Sequence, residues 1–325
     1  MRAAQVVSTS GPAGVEIREV PDPVPSAADV LIEVHCVGIS FPDLLLSKGE
    51  YQLRPEPPFT LGVDVAGVVL ASSGEGFAPG DRVCGVVPYG AAAELAVVSV
   101  VSTFRLPDTL SFDQGAALPL NYLTAHFALV VRGGLREGET VLVHGAAGGV
   151  GSATIQVAAA LGARTIAVVS TEEKAGVARH AGADEAVLVD GFKDAALALT
   201  HGRGVDVVLD VVGGGVFIDS LRVLAPLGRL LVVGFASGQG IPEVKVNRLL
   251  LNNVDVRGVG WGAYATTRPG FMEQQWVDLL PMIESGAIDP PIGATYAFEE
   301  IGQALRDLDE RRTLGKSIVR VKVEP

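Results

Sequence analysis

Two hydrophobic periods divide the chain. Up to about Pro107, apolar and polar residues alternate in short runs at 15–20, 30–34, 62–70 and 81–87. Clusters such as Pro21-Asp22-Pro23 and Pro79-Gly80-Asp81 separate these runs. A period of two broken by turn residues predicts short strands of a small, barrel-like β unit. Residues 41–49 read as a loop or short helix between them. The period then lengthens. Ser111-Phe112-Asp113-Gln114 has the form of a capping box and opens a helix towards Val131. Beyond it, apolar strands at 141–143, 165–169, 186–189, 205–211 and 229–233 alternate with helical patterns at 150–161, 171–182, 192–200 and 216–227. That alternation predicts a parallel sheet covered on both faces, with 254–259 as its last strand. Helices at 271–284 and 299–312 and a strand at 317–323 complete the pattern. The tail is too short for a domain of its own, so the reading divides the chain at 1–122, 123–258 and a returning segment, 259–325.

Composition narrows the class. The 325 residues are 48% hydrophobic and 19% charged, enough apolar material for sizeable cores and too little charge for a disordered chain. Forty glycines against eleven Phe, five Tyr and two Trp suit tight turns and close strand–helix packing. A net charge of −12 has the wrong sign for tracking phosphate backbones, so nucleic acid is not the expected partner. Only Cys36 and Cys84 occur, which rules out a cysteine-based structural zinc and makes a disulfide framework unexpected. The start lacks an apolar signal core. The uncharged stretch 145–163 carries five glycines and breaks into a loop and a helix rather than a membrane span. The expectation is a soluble, cytoplasmic protein with no membrane partner.

The strongest chemical signal is Val141-Leu142-Val143-His144-Gly145-Ala146-Ala147-Gly148-Gly149-Val150-Gly151, an apolar strand that runs through glycines into a helix. Ala146, Gly148 and Gly151 occupy the three positions of a dinucleotide fingerprint, with Ala in the first. Gly148 would admit a pyrophosphate to the backbone, and Gly151 would let helix and strand pack closely. Backbone N–H groups from Ala147 to Val150 and the helix N-terminus would then hold the anion. The bland alternative is a tight strand-to-helix turn.

The end of the second strand bears on which dinucleotide binds. NAD-preferring folds carry an acidic residue there, about 20 residues on, for the ribose diol. Here that position falls on Val169, followed by Ser170, Thr171 and Lys174. These three can bond and partly neutralise a 2′-phosphate, which favours NADPH over NADH. They also suit plain structural roles: an N-cap at Ser170 or Thr171, dipole partners at Glu172 and Glu173, and a solvated Lys174. A register shift of three would instead bring Glu172 to the ribose.

The whole chain resembles the zinc-independent quinone oxidoreductase branch of the medium-chain dehydrogenase/reductase superfamily. The resemblance is carried by Gly38-Ile39-Ser40-Phe41-Pro42-Asp43, Leu61-Gly62-Val63-Asp64-Val65-Ala66-Gly67, Pro79-Gly80-Asp81-Arg82-Val83, Leu123-Thr124-Ala125, the glycine loop, and Arg311-Arg312-Thr313-Leu314-Gly315-Lys316. It implies an α/β fold: a GroES-like β-rich catalytic domain plus a Rossmann doubly wound parallel-sheet domain, with nicotinamide and acceptor in the cleft between them. Zinc-dependent alcohol dehydrogenases of the superfamily have a metal-binding Cys where this chain has Ser40. Their His ligand is replaced by Val63, so no metal is expected. Asp64 alone cannot hold Zn²⁺, which takes three protein ligands. Without a metal the acceptor must stabilise its own anion, as quinones and conjugated enones do.

The resemblance also implies site residues. Tyr51 stands where related reductases have an active-site tyrosine, although a tyrosine packed on its loop is the plain alternative. Ser40 replaces a frequent Asn and would be a weak donor near the acceptor, and Asp43 would order its loop. Thr124, with Asn121 and Tyr122 nearby, would border the nicotinamide, and so would Gly234, Phe235 and Ser237. Arg311 matches a cofactor-contacting arginine. The reading is an NADPH-dependent, homodimeric quinone or enone reductase. An enoyl-thioester or alkenal reductase is the enzymatic alternative, and a cofactor-binding, crystallin-like structural or RNA-binding protein the alternative of another class.

Overall fold

The computed structural model describes residues 1–72 and 76–322. They form two compact units, Met1–Leu120 with Ile292–Pro325, and Asn121–Pro291. No described helix is long and apolar enough to cross a membrane.

Among the described residues, the first unit holds a seven-stranded sheet and a three-stranded sheet. The long strand Asp29–Ile39 is central: it pairs antiparallel with Asp64–Ser72, with Leu95–Ser99 and with the C-terminal strand Lys316–Arg320. Its inward residues Val30, Ile32 and Val34 are almost fully buried between half-buried Leu31 and Glu33, which is why the sequence alternates there. At its end Ser40 caps the helix Phe41–Lys48, and Gly49 closes that helix at φ +68°. Residues 41–49 are therefore a true short helix. The expected last strand at 317–323 is observed as Lys316–Arg320; Val323 lies outside the described residues.

The second unit carries six parallel strands in the spatial order Glu185–Leu188, Arg164–Val169, Thr140–His144, Val205–Asp210, Leu224–Val232 and Asp255–Gly258. This is the doubly wound arrangement, with its switch point between Thr140–His144 and Val205–Asp210. Leu142, Ile166, Val208 and Leu230 from four neighbouring strands meet Phe192 and Leu221 from the covering helices in one core. Asp255–Gly258 is the edge strand, as the sequence pattern implies.

The structure corrects three expectations. The helix predicted from Ser111 to Val131 is three pieces: Phe112–Ala117, Pro119–His126 and a π-helical Phe127–Gly133. Pro119 has no N–H to return to the preceding turn, so the first helix stops there. The capping box itself is present: Ser111 Oγ accepts the Gln114 N–H, and the Gln114 side chain accepts the Ser111 N–H. The helix predicted over 216–227 runs only Phe217–Val223, because Pro226 and the positive φ of Leu227 (+66°) are incompatible with it. Finally, residues 259–291 belong to the second unit rather than to the returning tail. Helices Trp261–Ala265 and Phe271–Glu284 pack there: Gln275 accepts from Trp261 Nε1 and donates to the Leu123 carbonyl, while Tyr264 and Phe271 stack on Phe127. The return to the first unit begins at Ile292.

Candidate active site

The glycine loop follows the buried strand Thr140–His144. Gly145 turns the chain at φ +65°, and its carbonyl accepts the Gly148 N–H at 3.0 Å. Gly148 is the extended N-cap of the helix Gly149–Ala160. The first N–H groups of that helix have no acceptor within it and carry its positive end.

Each glycine has its own reason. A Cβ on Gly151 would lie 2.2 Å from the Gly145 carbonyl oxygen, so this residue permits the helix to sit on the strand end. A Cβ on Gly149 would lie 2.6 Å from Asn121 Nδ2, so Gly149 makes room for the buried Asn121 side chain. At Gly148 a Cβ would meet only the Gly145 carbonyl, at 3.3 Å, among the described residues. Packing does not require glycine at 148. An anion approaching the backbone does. The loop leaves the backbone of Ala147, Gly148, Gly149 and Val150 open to a group the size of a pyrophosphate, which these residues could hold.

The loop is tied to the second strand by Ala146 N–H to the Val168 carbonyl, at 3.4 Å. Exposed Ser170 and Thr171 therefore follow directly at the same sheet edge. Thr171 is the N-cap of the helix Glu172–His180, its Oγ1 accepting the Lys174 N–H at 3.2 Å. In that role the Thr171 oxygen accepts, which leaves its hydrogen to donate to a ligand. Glu172 faces along its own helix, 3.9 Å from Arg179.

Across the switch point, sequence reasoning missed an organising residue. Asp210, fully buried at the end of its strand, accepts the Val212 and Gly213 N–H groups on Oδ1 at 2.8 and 2.9 Å. Its backbone carbonyl accepts the Val233 N–H at 2.8 Å. Ala236 and Ser237 N–H groups then bond the Val211 and Val212 carbonyls, so the loop with Gly234, Phe235 and Ser237 is laid beside 211–215. Phe235 is exposed at this edge. Asp210 Oδ2 is buried with no hydrogen-bond partner among the described residues, and burial raises its carboxyl above the ordinary range. Asn121 and Thr124, both buried, lie one turn apart on Pro119–His126 and share a face.

In the first unit, Ser40 and Asp43 are both buried at the start of Phe41–Lys48. Asp43 accepts the Ser40 N–H on Oδ2 at 2.9 Å and the Gly62 N–H on Oδ1 at 3.1 Å. It orders two loops, the role the sequence suggested. Burial pushes its carboxyl up to about 7, with Asp64 adding repulsion and the two N–H groups and Lys316 opposing. Tyr51, half-buried in the bend after this helix, stands within the field of Asp43; burial and that charge raise its phenol pKa, so it stays a donor at neutral pH. Asp64 accepts the Leu120 N–H on Oδ1 at 2.8 Å and Lys316 Nζ on Oδ2 at 2.6 Å. Lys316 also donates to Ser40 Oγ at 2.6 Å. Arg311 lies outside this buried cluster, on the exposed turn after Ile301–Asp309, at φ +59°.

Zinc does not fit. Ser40 and Val63 offer no Cys or His ligand, and both oxygens of Asp64 are engaged by a cation and an amide. No cluster of three metal-ligating side chains occurs among the described residues. Metal analysis of the purified protein should find no stoichiometric zinc, and chelator should leave turnover unchanged. One zinc per chain, with activity lost on its removal, would overturn this.

Residues 26–108 match the family described as alcohol dehydrogenase GroES-like domain, and residues 149–283 the family described as zinc-binding dehydrogenase. Quinone oxidoreductase-like protein 2 of Bos taurus is 38% identical over 299 residues, covering 90% of this chain and 85% of the relative. A probable oxidoreductase from Mycobacterium abscessus superposes with a TM-score of 0.90 at 40% identity, over 99% of both chains. The Thermus thermophilus quinone oxidoreductase, also solved in complex with NADPH, gives 0.86 at 35% identity, over 99% of this chain and 100% of that one.

Proposed function

Because the chain belongs to the quinone oxidoreductase branch of the medium-chain dehydrogenase/reductase superfamily, we propose that this oxidoreductase uses NADPH to reduce quinones or other conjugated carbonyls without a metal. One observation carries the reading: the positions of the missing zinc ligands are filled by Ser40, Val63 and a lysine-paired Asp64. With no Lewis acid there, the acceptor has to spread the arriving charge over its own conjugated system. Bound NADPH supplies the hydride. The open backbone at Gly148 takes the pyrophosphate, and Asn121, Thr124, Gly234, Phe235 and Ser237 frame the nicotinamide. Arg311 remains a candidate cofactor contact. The neighbour solved with NADPH supports the cofactor choice.

Ser170, Thr171 and Lys174 would grip the 2′-phosphate. NADPH should therefore bind more tightly than NADH, and Lys174→Ala should narrow the gap by about 1.5–3 kcal/mol, the worth of one charge-assisted contact. Equal affinity of the wild type for both would sink this assignment. Tyr51 would donate to the acceptor oxygen as it becomes an anion. Tyr51→Phe should lower kcat by roughly 10–1000-fold, most for enones and least for quinones, with NADPH affinity intact. Wild-type rates on every acceptor would make Tyr51 a packing residue. The deciding experiment is NADPH oxidation assayed in parallel against benzoquinones, naphthoquinones, alkenals and crotonyl-coenzyme A. Turnover of none of them refutes the proposal, and a preference for the thioester moves it to enoyl reduction.

The edge strand Asp255–Gly258 leaves backbone donors and acceptors for a second copy, and Leu250 and Leu251 just before it are 74% exposed. A homodimer is the expected state. A scattering mass near the 33.6 kDa of one chain would count against it.

A further inference from the structure

Lys316 is the residue the proposed chemistry has not yet used. Its side chain is 4% exposed and that of its partner Asp64 is fully buried. Burying an ion pair gains little stability over an apolar pair, so stability alone is a weak reason for it. The arrangement also contains more than a pair. Lys316 Nζ reaches Ser40 Oγ at 2.6 Å, as short as its bond to Asp64. Ser40 Oγ meets the same Asp64 Oδ2 at 3.1 Å. Asp64 therefore keeps a partner on each oxygen, Lys316 and the Leu120 N–H, even if the Ser40 hydrogen turns elsewhere.

The surroundings are built to hold this geometry. A Cβ on Gly38 would lie 2.7 Å from Lys316 Cε and 2.0 Å from the Ala116 carbonyl, so the glycine opens the channel that the lysine stem crosses. The Ser40 backbone is pinned by Asp43. The strand Lys316–Arg320 pairs with Asp29–Ile39, with Ser317 opposite Ile39, which brings the lysine to the end of the strand that leads into Ser40. A hydroxyl whose oxygen accepts from an ammonium becomes a stronger donor through its own hydrogen.

We propose that Ser40 is a second donor to the acceptor oxygen, and that Lys316 is the positioning residue that polarises its hydroxyl, with Asp64 holding the ammonium in place. The proposal rests on the reading of the protein as a reductase of conjugated carbonyls, and it places a fixed protein cation behind the side chain that stands at a zinc ligand's position. Only hydrogen bonds strengthen in this step; no proton leaves Lys316 or Ser40.

The test reads charge stabilisation twice. The first readout is kcat on an enone and on a quinone, beside NADPH affinity. The second needs no hydride transfer: 4-nitrophenol mimics the enol, and its absorbance reports whether the bound form is phenol or phenolate. Ser40→Ala should lower enone kcat about 10–100-fold and quinone kcat by a smaller factor, since quinones spread the charge better, with NADPH affinity unchanged. The bound probe should lose its preference for phenolate. The paired change Lys316→Met with Asp64→Asn, which leaves no lone buried charge, should reproduce both losses. Adding Ser40→Ala to that pair should cost nothing further, because the two act as a unit. Lys316→Arg, which keeps the cation, should retain most of the enone rate and carries the test if the paired variant does not fold. Wild-type enone rate and phenolate preference in Ser40→Ala would overturn the proposal, and so would losses in the pair and in Ser40→Ala that simply multiply. A wild type that reduces no conjugated carbonyl, yet shows Ser40-dependent phenolate preference, would instead refute the assigned activity and leave the donor pair standing.

Discussion

Gly151→Ala should destabilise the dinucleotide unit, while Gly148→Ala should leave it as stable and unable to hold NADPH tightly. The two positions differ by three residues and by what surrounds them. The added methyl at 151 would sit 2.2 Å from the Gly145 carbonyl oxygen and 2.8 Å from Ala146 Cα, both backbone atoms of the turn it closes. Neither can move without opening the strand-to-helix junction. Overpacking of this kind costs about 1–3 kcal/mol, a lowered melting temperature that calorimetry reads. At 148 the methyl finds one neighbour at 3.3 Å, and the residue's φ of −90° is open to any L-amino acid. Its melting temperature should stay near wild type. The methyl would stand where the pyrophosphate approaches, with the loss of one or two charge-assisted backbone bonds. Each is worth about 1.5–3 kcal/mol, roughly 10–150-fold in affinity. Fluorescence titration with NADPH and calorimetry on both variants decide the matter. Tight NADPH binding by Gly148→Ala would place the pyrophosphate elsewhere, and wild-type melting of Gly151→Ala would deny the packing role.

The contrast also marks what was legible in the chain. An apolar strand, a glycine run and a helix are neighbours in sequence, so the loop and the roles of Gly148 and Gly151 can be read from local pattern. Gly149 could not be, because the side chain it accommodates, Asn121, comes from a distant helix. The same holds more strongly for Lys316. It lies in a strand whose pattern predicts only burial, and its partners are 252 and 276 residues away. The tail containing Gly315-Lys316 marked the family without assigning the lysine a task. Asp210 looked like the end of one more strand, since the bonds that make it an organiser run to loops which carry no periodicity. The misplaced boundary has the same origin: residues 259–291 are amphipathic helices, and only Gln275 and the aromatic contacts show which unit they cover.

Two buried groups, Asp43 in the first unit and His144 in the second, should give stability opposing slopes with pH. Asp43, in the first unit, titrates near 7 in the folded protein against an ordinary 3.8, chiefly through burial. Between those values the folded state binds more protons than the unfolded one. Its contribution is therefore fully present below pH 3.8 and is lost as pH rises towards 7. About three units correspond to on the order of 4 kcal/mol. His144, in the second unit, is the mirror case. Buried beside Phe192 with Nε2 2.8 Å from Ser220 Oγ, it is pushed by burial from 6.5 down to about 3. Here the unfolded state binds the extra proton, so stability rises between pH 3 and 6.5, by a similar amount. Carboxylates held low by arginines, such as Asp113 beside Arg320, act at the acid end below this window. Asp210, raised by burial, adds to the Asp43 slope, and His126, lowered by burial, to that of His144; with the slopes opposed, the wild type should change little between pH 4 and 6.5. His144→Gln, which keeps an amide donor for Ser220, should expose the Asp43 slope and lose stability as pH rises. Asp43→Asn should do the reverse, whatever constant cost its lost N–H acceptor adds. Urea midpoints measured from pH 4 to 7 supply the slopes; if the units unfold in separate transitions, the opposing slopes appear directly in the wild type. Identical pH profiles for all three proteins would mean that neither buried group titrates far from its ordinary value.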